Sequence, residues 1–252
     1  MKLIVNADDF GFSEEVNANI VKCHQNGIVT STTILAGGEK FNDAIQLAKE
    51  NPKLGIGVHL AIDGPNNIGK KYATLLDSET GKFYEDIVAV KKIRNGDFNF
   101  EELVSEYSLQ IEKVKNEGIT ITHLDHHHHF HLYFPVLKAV IEVAKKYKIP
   151  YIRPQKILFT ANNPFPKMIY RIYHQFYLSR RYNTVDGYAS LIGCNTNQMA
   201  AKFQTILNSN KKTIELVVHP LKENGEIDFL TDPEIVEKAQ NHLINYASLA
   251  QK

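Results

Sequence analysis

Six of the chain's eleven histidines fall in one stretch, Thr122-His-Leu-Asp-His-His-His-His-Phe-His131. Neutral imidazole is the commonest metal ligand among side chains, and a carboxylate such as Asp125 beside it can fix the orientation of a ligating ring. A histidine run at a terminus would be set aside as a tag. This one is internal, preceded by Gly118-Ile-Thr-Ile and followed by Leu132-Tyr-Phe-Pro135. Folding gains nothing from five imidazoles between His126 and His131, so contact with a metal or a substrate is the chemistry they indicate. Matching residue types recur elsewhere: Asp8-Asp9, His59, Arg153 and His219. Two histidines and a carboxylate leave coordination positions open for water and substrate, which suits a catalytic metal.

These residues need elements that bring them together. Lys2-Leu-Ile-Val-Asn-Ala7 reads as a strand, and Ser13 before Glu14-Glu15 and Val16 reads as a helix N-cap. Val29–Leu35, Gly55–Leu60, Ile119–Asp125, Ile149–Arg153 and Glu215–His219 read as further strands. Helical patterns cover Phe41–Glu50, Glu101–Asn116, Pro135–Lys146 and Pro233–Ala250. Alternating short strands and longer helices predict an α/β fold with a parallel sheet: a single-domain (β/α) barrel, distorted or incomplete. No Gly-x-Gly-x-x-Gly follows a strand, which weakens the dinucleotide-binding alternative. Residues 61–100 and 157–190 lack a clean period and read as loop-rich insertions near the site.

In this scheme Asp8, Asp9, His59, Asp125, His127, Arg153 and His219 all lie at carboxyl ends of strands, the end that carries active sites in parallel α/β sheets. Side chains alternate along a strand, so His123, Asp125 and His127 share one face and His126 and His128 the other. His127 is therefore the leading ligand in the run, with Asp125 as its neighbour; His129 and His131 lie beyond, toward a substrate rim. Each residue alone has a plainer reading. An Asp pair can be a turn and cap, a strand-end histidine a satisfied core residue, and Arg153 before Pro154 an ordinary ion-pair partner.

Composition bounds the rest. The 252 residues are 43% hydrophobic and carry a net charge of +1, so nothing calls for nucleic acid or a membrane surface. Cys23 and Cys194 form no disulfide framework or metal pair. The first residues show no signal-peptide pattern, and a cytoplasmic location is expected.

Asn6-Ala-Asp-Asp-Phe-Gly11, Gly57-Val-His-Leu60, the run Thr122–His131 and Val218-His-Pro220 resemble, in order and over most of the chain, the motifs of YdjC-like carbohydrate deacetylases. The resemblance implies a barrel-like fold, a homodimer, and metal-dependent removal of N-acetyl groups from small acetylated sugars such as chitooligosaccharides. It implies Asp9, His59 and His127 as metal ligands, Asp8 as base and His219 as acid, with Arg153 pairing Asp8. One divalent ion is implied. The family is commonly described with magnesium, whereas two imidazoles favour zinc, or else manganese, cobalt or iron. Two departures touch the rim: His126 replaces a small residue, and Ile62-Asp63 replaces a Leu-Thr pair. The competing readings are a metal-dependent phosphoesterase and a non-catalytic metal- or sugar-binding protein.

Overall fold

The structure, a computed structural model, describes residues 1–64, 67–158 and 165–249, with the backbone alone at 165–168. Its strands are β1 (Lys2–Phe10), β2 (Ser31–Ile34), β3 (Gly55–Leu60), β4 (His123–His126), β5 (Tyr151–Ile152), β6 (Tyr188–Ser190) and β7 (Thr213–Val218). They form one parallel sheet in the order β5-β4-β3-β2-β1-β7-β6. The helices are α1 (Glu14–Gln25), α2 (Phe41–Glu50), α3 (Asp86–Asn95), α4 (Phe100–Asn116), α5 (Phe134–Tyr147), α6 (Phe165–Ser179), α7 (Thr196–Leu207), α8 (Glu226–Thr231) and α9 (Pro233–Ala239). None is long and apolar enough to cross a membrane.

The sheet curls. β4 and β7 stand four places apart in the order, roughly 19 Å on a flat sheet at about 4.8 Å per strand. Yet one side chain, Arg153, touches Asp125 of β4 at 2.7 Å and Glu215 of β7 at 2.8 Å. Only a sheet rolled around its interior allows that. The chain beyond β5 helps to close the gap: Tyr188 of β6 donates to the Lys156 carbonyl at 2.9 Å and accepts from the Leu158 N–H at 2.7 Å. This is the distorted, barrel-like α/β fold expected. Every residue of β2 and of β3 is buried, as in parallel sheets covered on both faces. Ser13 caps α1, accepting from the Val16 N–H at 3.2 Å.

Several boundaries differ from the sequence reading. β4 starts at His123 rather than Ile119, and β5 holds two residues, because Pro154 has no N–H for a ladder. The stretch 61–100 contains α3, ended by Gly96 in a left-handed conformation (φ 77°). The stretch 157–190 contains α6 and β6. The expected last helix stops at Ala239. Beyond it, Leu3 donates to the His242 carbonyl and accepts from Ile244, so pairing with β1 outcompetes helix continuation. Pro65 of the Asp63-Gly-Pro turn, residues 159–164 and Ala250 lie outside the described residues.

Candidate active site

Asp8 and Asp9 are neighbours in β1, and regular alternation would send them to opposite faces. The pairing register of β1 with β2 shifts between Ala7 and Phe10, and Asp9 has φ 72°. Aspartate tolerates this left-handed geometry better than most residues. The bulge brings both carboxylates to one imidazole: His59 Nε2 lies 3.3 Å from Asp9 Oδ1 and 4.0 Å from Asp8 Oδ2.

Asp8 is buried and fully engaged. Arg153 grips it with two bonds, Nη2 to Oδ1 at 2.6 Å and Nη1 to Oδ2 at 2.8 Å, and Asn6 donates to Oδ1 at 2.9 Å. Burial pushes the Asp8 carboxyl up, but Arg153 and His59 outweigh it and hold the group well below the usual range. Arg153 is itself wholly buried; its Nε donates to Glu215 Oε1 at 2.8 Å, and Tyr246 donates to the other Glu215 oxygen at 2.7 Å. Burial raises the Glu215 carboxyl, with Arg153 opposing.

Asp125 orients His59. His59 Nδ1 lies 2.7 Å from Asp125 Oδ1, and the other Asp125 oxygen accepts from Thr33 at 3.0 Å and meets Arg153. A ring fixed at Nδ1 presents Nε2 outward. Burial pushes the His59 imidazole down, yet Asp125 and Asp8 outweigh it and set it well above its ordinary value.

His127 repeats the arrangement with a different carboxylate. Asp63, fully buried, lies 3.2 Å from His127 Nδ1, and its second oxygen is 2.5 Å from His128 Nδ1. His127 Nε2 then faces Asp9 Oδ1 at 3.8 Å. Burial would raise the Asp63 carboxyl; hydrogen bonds from His127 and His128 lower it below the usual range. Asp63, read from sequence only as a departure at the rim, is thus the partner of His127, whereas Asp125 serves His59.

Asp9 Oδ1 is buried, has no hydrogen-bond partner, and is approached by two imidazole Nε2 atoms. Among the described residues, two other sets of three donors lie within 4.8 Å of one another: Asp8, His59 and Asp125, and Asp63, His127 and His128. The trio Asp9, His59 and His127 is not one of these sets. Geometric proximity alone therefore points elsewhere, but chemistry favours the trio. The oxygens of Asp8, Asp125 and Asp63 already accept hydrogen bonds, and Nδ1 of His127 and His128 are already spent on Asp63. Asp9 Oδ1 and the Nε2 atoms of His59 and His127 carry no such bond, and one carboxylate oxygen with two imidazole nitrogens is a borderline set that fits a divalent transition metal.

His219 follows β7. Its Nε2 lies 3.9 Å from Asp8 Oδ2, too long for a hydrogen bond but within reach of one molecule held between them. His126 points away from the site: it bonds the Tyr107 hydroxyl at 2.6 Å on α4, and burial pushes its imidazole down to about 3. His123 also stays inside, 3.0 Å from Asn6 Oδ1. Its ring lies against β3 at Gly57, where a Cβ would come within 2.6 Å of it.

His128 and His129 adopt left-handed φ of 49° and 54°, so strand alternation ends at His126. His131 is fully buried rather than at a rim, with neither ring nitrogen bonded. His129 lines a cavity of about 490 Å³ with Arg94, His128, Tyr133, Tyr170 and Arg171, so the helices α3 and α6 flank a cavity that reaches the histidine run. Of four aromatics that could pack against a sugar face, Phe10 and Phe130 are buried, Tyr72 is half-buried against the core, and Phe12 is 51% exposed. Asn6 and Glu215 escaped the sequence reading. Their signal was a polar residue between two apolar ones within a strand, Asn6 between Val5 and Ala7 and Glu215 between Ile214 and Leu216.

The curated proteins that match the chain include several named carbohydrate deacetylase. One, from Clostridium beijerinckii, is 42% identical over 152 residues, 60% of this chain and 59% of that protein. Another, from Oceanobacillus iheyensis, is 30% identical over 244 residues, 93% of this chain and 94% of that protein. The chain thus spans about three fifths of the first relative and nearly all of the second. A crystal structure from Enterococcus faecalis, provisionally named for cellobiose-phosphate cleavage, has a TM-score of 0.81 at 26% identity and covers 98% of both chains. A lactam utilization protein from Thermus thermophilus shares the fold alone, with a TM-score of 0.54 at 15% identity over 97% of this chain and 99% of that one. The model of the YdjC-like proteins matches residues 2–241, and the chain belongs to that family.

Proposed function

We propose that this protein is a metal-dependent carbohydrate deacetylase that removes N-acetyl groups from small acetylated sugars such as chitooligosaccharides. The observation that carries the reading is Asp9 Oδ1, buried and unbonded, faced by the Nε2 atoms of two histidines that are each anchored at Nδ1 by a carboxylate. Asp9, His59 and His127 would hold one divalent ion, zinc or another transition metal in preference to magnesium. Bound there, such an ion supplies Lewis-acid polarisation of the acetyl carbonyl and acidifies the attacking water.

The remaining chemistry belongs to the chain. Asp8 is kept ionised by Arg153, so it can accept a proton from water as the water oxygen bonds to the acetyl carbon. His219, whose Nε2 lies 3.9 Å from Asp8 Oδ2, donates a proton to the leaving nitrogen as the C–N bond breaks. Acetate and a free amino sugar leave. Names of relatives support the substrate class, and the exposed ring of Phe12, three residues after Asp9, offers a face for a sugar.

The test is acetate release from N-acetylated chitobiose by metal-stripped and metal-restored protein. Release should depend on metal at one equivalent per chain. No release with any divalent metal would sink the reading, and two tightly bound equivalents would favour a phosphoesterase.

We read the protein as a homodimer. Ile169, Ile172, Tyr173 and Phe176 form an exposed stripe on α6, each 52–56% exposed, and Tyr170 adjoins it. Half-exposed side chains of this size offer on the order of 100 Å² each, so two copies would cover roughly 1,000 Å², the threshold for a specific interface. Sedimentation should give a dimer that Ile172→Glu converts to a monomer; a wild-type monomer would refute the assignment.

A further inference from the structure

Three histidines face Asp8 and Asp9, and they are held in two different ways. His59 and His127 are fixed through their rings, each with Nδ1 on a carboxylate. His219 is not: its Nδ1 is buried without a hydrogen-bond partner, and its Nε2 stands 3.9 Å from Asp8 Oδ2. The His219 ring is therefore placed by its backbone.

That backbone is clamped by side chains from its own loop. The His219 N–H donates to Glu226 Oε2 at 2.6 Å, and the His219 carbonyl accepts from Asn224 Nδ2 at 3.0 Å. The two clamps also hold each other, since Asn224 Oδ1 accepts from the Glu226 N–H at 2.9 Å. Gly225 between them has φ 71°, the left-handed turn that lets consecutive loop residues aim back at one peptide. Glu226 is 1% exposed. A carboxyl carried into the interior at the start of α8, bonded there to a peptide N–H rather than to a basic side chain, has no evident folding advantage.

We propose that Glu226 and Asn224 are positioning residues that set the His219 imidazole beside Asp8. The proposal rests on the deacetylase reading, in which His219 delivers a proton to the leaving nitrogen. Neither residue reaches the reacting atoms. Each acts by fixing one polar group of the His219 backbone, so loss of either lets the ring swing without touching the metal-holding trio.

The test is a double-mutant cycle on the metal-loaded protein, joined to amide exchange by NMR. Glu226→Ala should lower kcat at least tenfold, leave KM and metal affinity within twofold, and speed exchange of the His219 amide. Glu226→Gln keeps an acceptor oxygen and should retain at least half of kcat. Asn224→Ala should lower kcat about threefold, and it serves if Glu226→Ala fails to fold. His219→Ala combined with Glu226→Ala should be no worse than His219→Ala alone, within threefold. Losses that multiply, or a His219 amide that exchanges no faster in the variants, would overturn the proposal. If wild-type protein releases no acetate, the deacetylase reading fails by itself, and amide exchange still decides whether the clamp exists.

Discussion

The sharpest test of the candidate site concerns Asp63, because its carboxylate has a single neighbourhood. Oδ1 lies 3.2 Å from His127 Nδ1 and Oδ2 lies 2.5 Å from His128 Nδ1. Asp125 plays the matching part for His59, but it also meets Arg153 and Thr33, so its removal would disturb the core as well. Asp63→Ala should leave the His127 ring free to turn and its Nδ1 without an acceptor. Removing a carboxylate that orients a ligating imidazole weakens metal binding by roughly 10- to 100-fold, about 1.4–2.7 kcal/mol. The upper half of that range is expected, because the His127 side chain is only 13% exposed and water cannot fully replace the lost oxygen. His128→Ala is the control, since it frees Asp63 Oδ2 without touching His127; its effect should stay under threefold. The assay is competition for zinc against a chromophoric chelator, on variants whose melting shows an intact fold. Zinc affinity of Asp63→Ala within twofold of wild type would refute the reasoning, as would an equal loss in His128→Ala.

Arg153→Met should cost about 3–5 kcal/mol in urea unfolding at neutral pH, because three buried carboxylates lose their cation; a loss under about 1 kcal/mol would contradict the network. Burial pushes the Glu226 carboxyl up to about 7 from the ordinary 4.5. The folded state then binds more protons than the unfolded state between those values, so this group destabilises as pH rises through the window, by at most about 3–4 kcal/mol. The difference between wild type and Glu226→Gln in urea unfolding should show that slope, and parallel curves would exclude it. His59, held well above its ordinary value, carries a proton near neutrality in metal-free protein and must shed it to ligate through Nε2. Metal affinity should therefore rise with pH, and calorimetry in buffers of different ionisation enthalpy should find about one proton released per metal; zero release would argue against His59 as ligand.

Local signals made much of this fold legible. The Ser13 cap, the limits of α2 and β3, and the placing of chemistry at carboxyl strand ends all follow from residue type and period. What eluded the sequence depended on contacts far along the chain. The tail folds onto Leu3 instead of continuing as a helix, a choice made by β1 rather than by helix propensity. The bulge at Asp9 has no short-range signature beyond the residue's tolerance of positive φ. Alternation separates His126, which turns to Tyr107, from Asp125, but it fails beyond the strand's end at His126: His128, expected on the face of His126, stacks on His127 and shares Asp63 with it, and the pattern could not distinguish whether Asp125 or Asp63 would meet the His127 ring. That pairing needed the loop after β3 to fold back over β4, a contact 64 residues apart in sequence.

The deeper problem in this site is how two adjacent aspartates come to have different uses. Both face His59, both are largely buried, and an ion near His59 could draw on either. Arg153 breaks the symmetry. Its guanidinium takes both oxygens of Asp8 in a planar, two-bond grip that a lysine could not reproduce. Coordination through Asp8 would mean giving up part of that grip and leaving a buried guanidinium less well paired. Asp9, turned out by the bulge, keeps its Oδ1 free of donors other than imidazole. On this reading, one buried cation assigns Asp8 to proton transfer and leaves coordination to Asp9. Glu215 is then there chiefly to keep that cation in place, and Asp125 does so with one oxygen while its other holds His59; this accounts for a carboxylate in the middle of β7, where an apolar strand would otherwise exclude it.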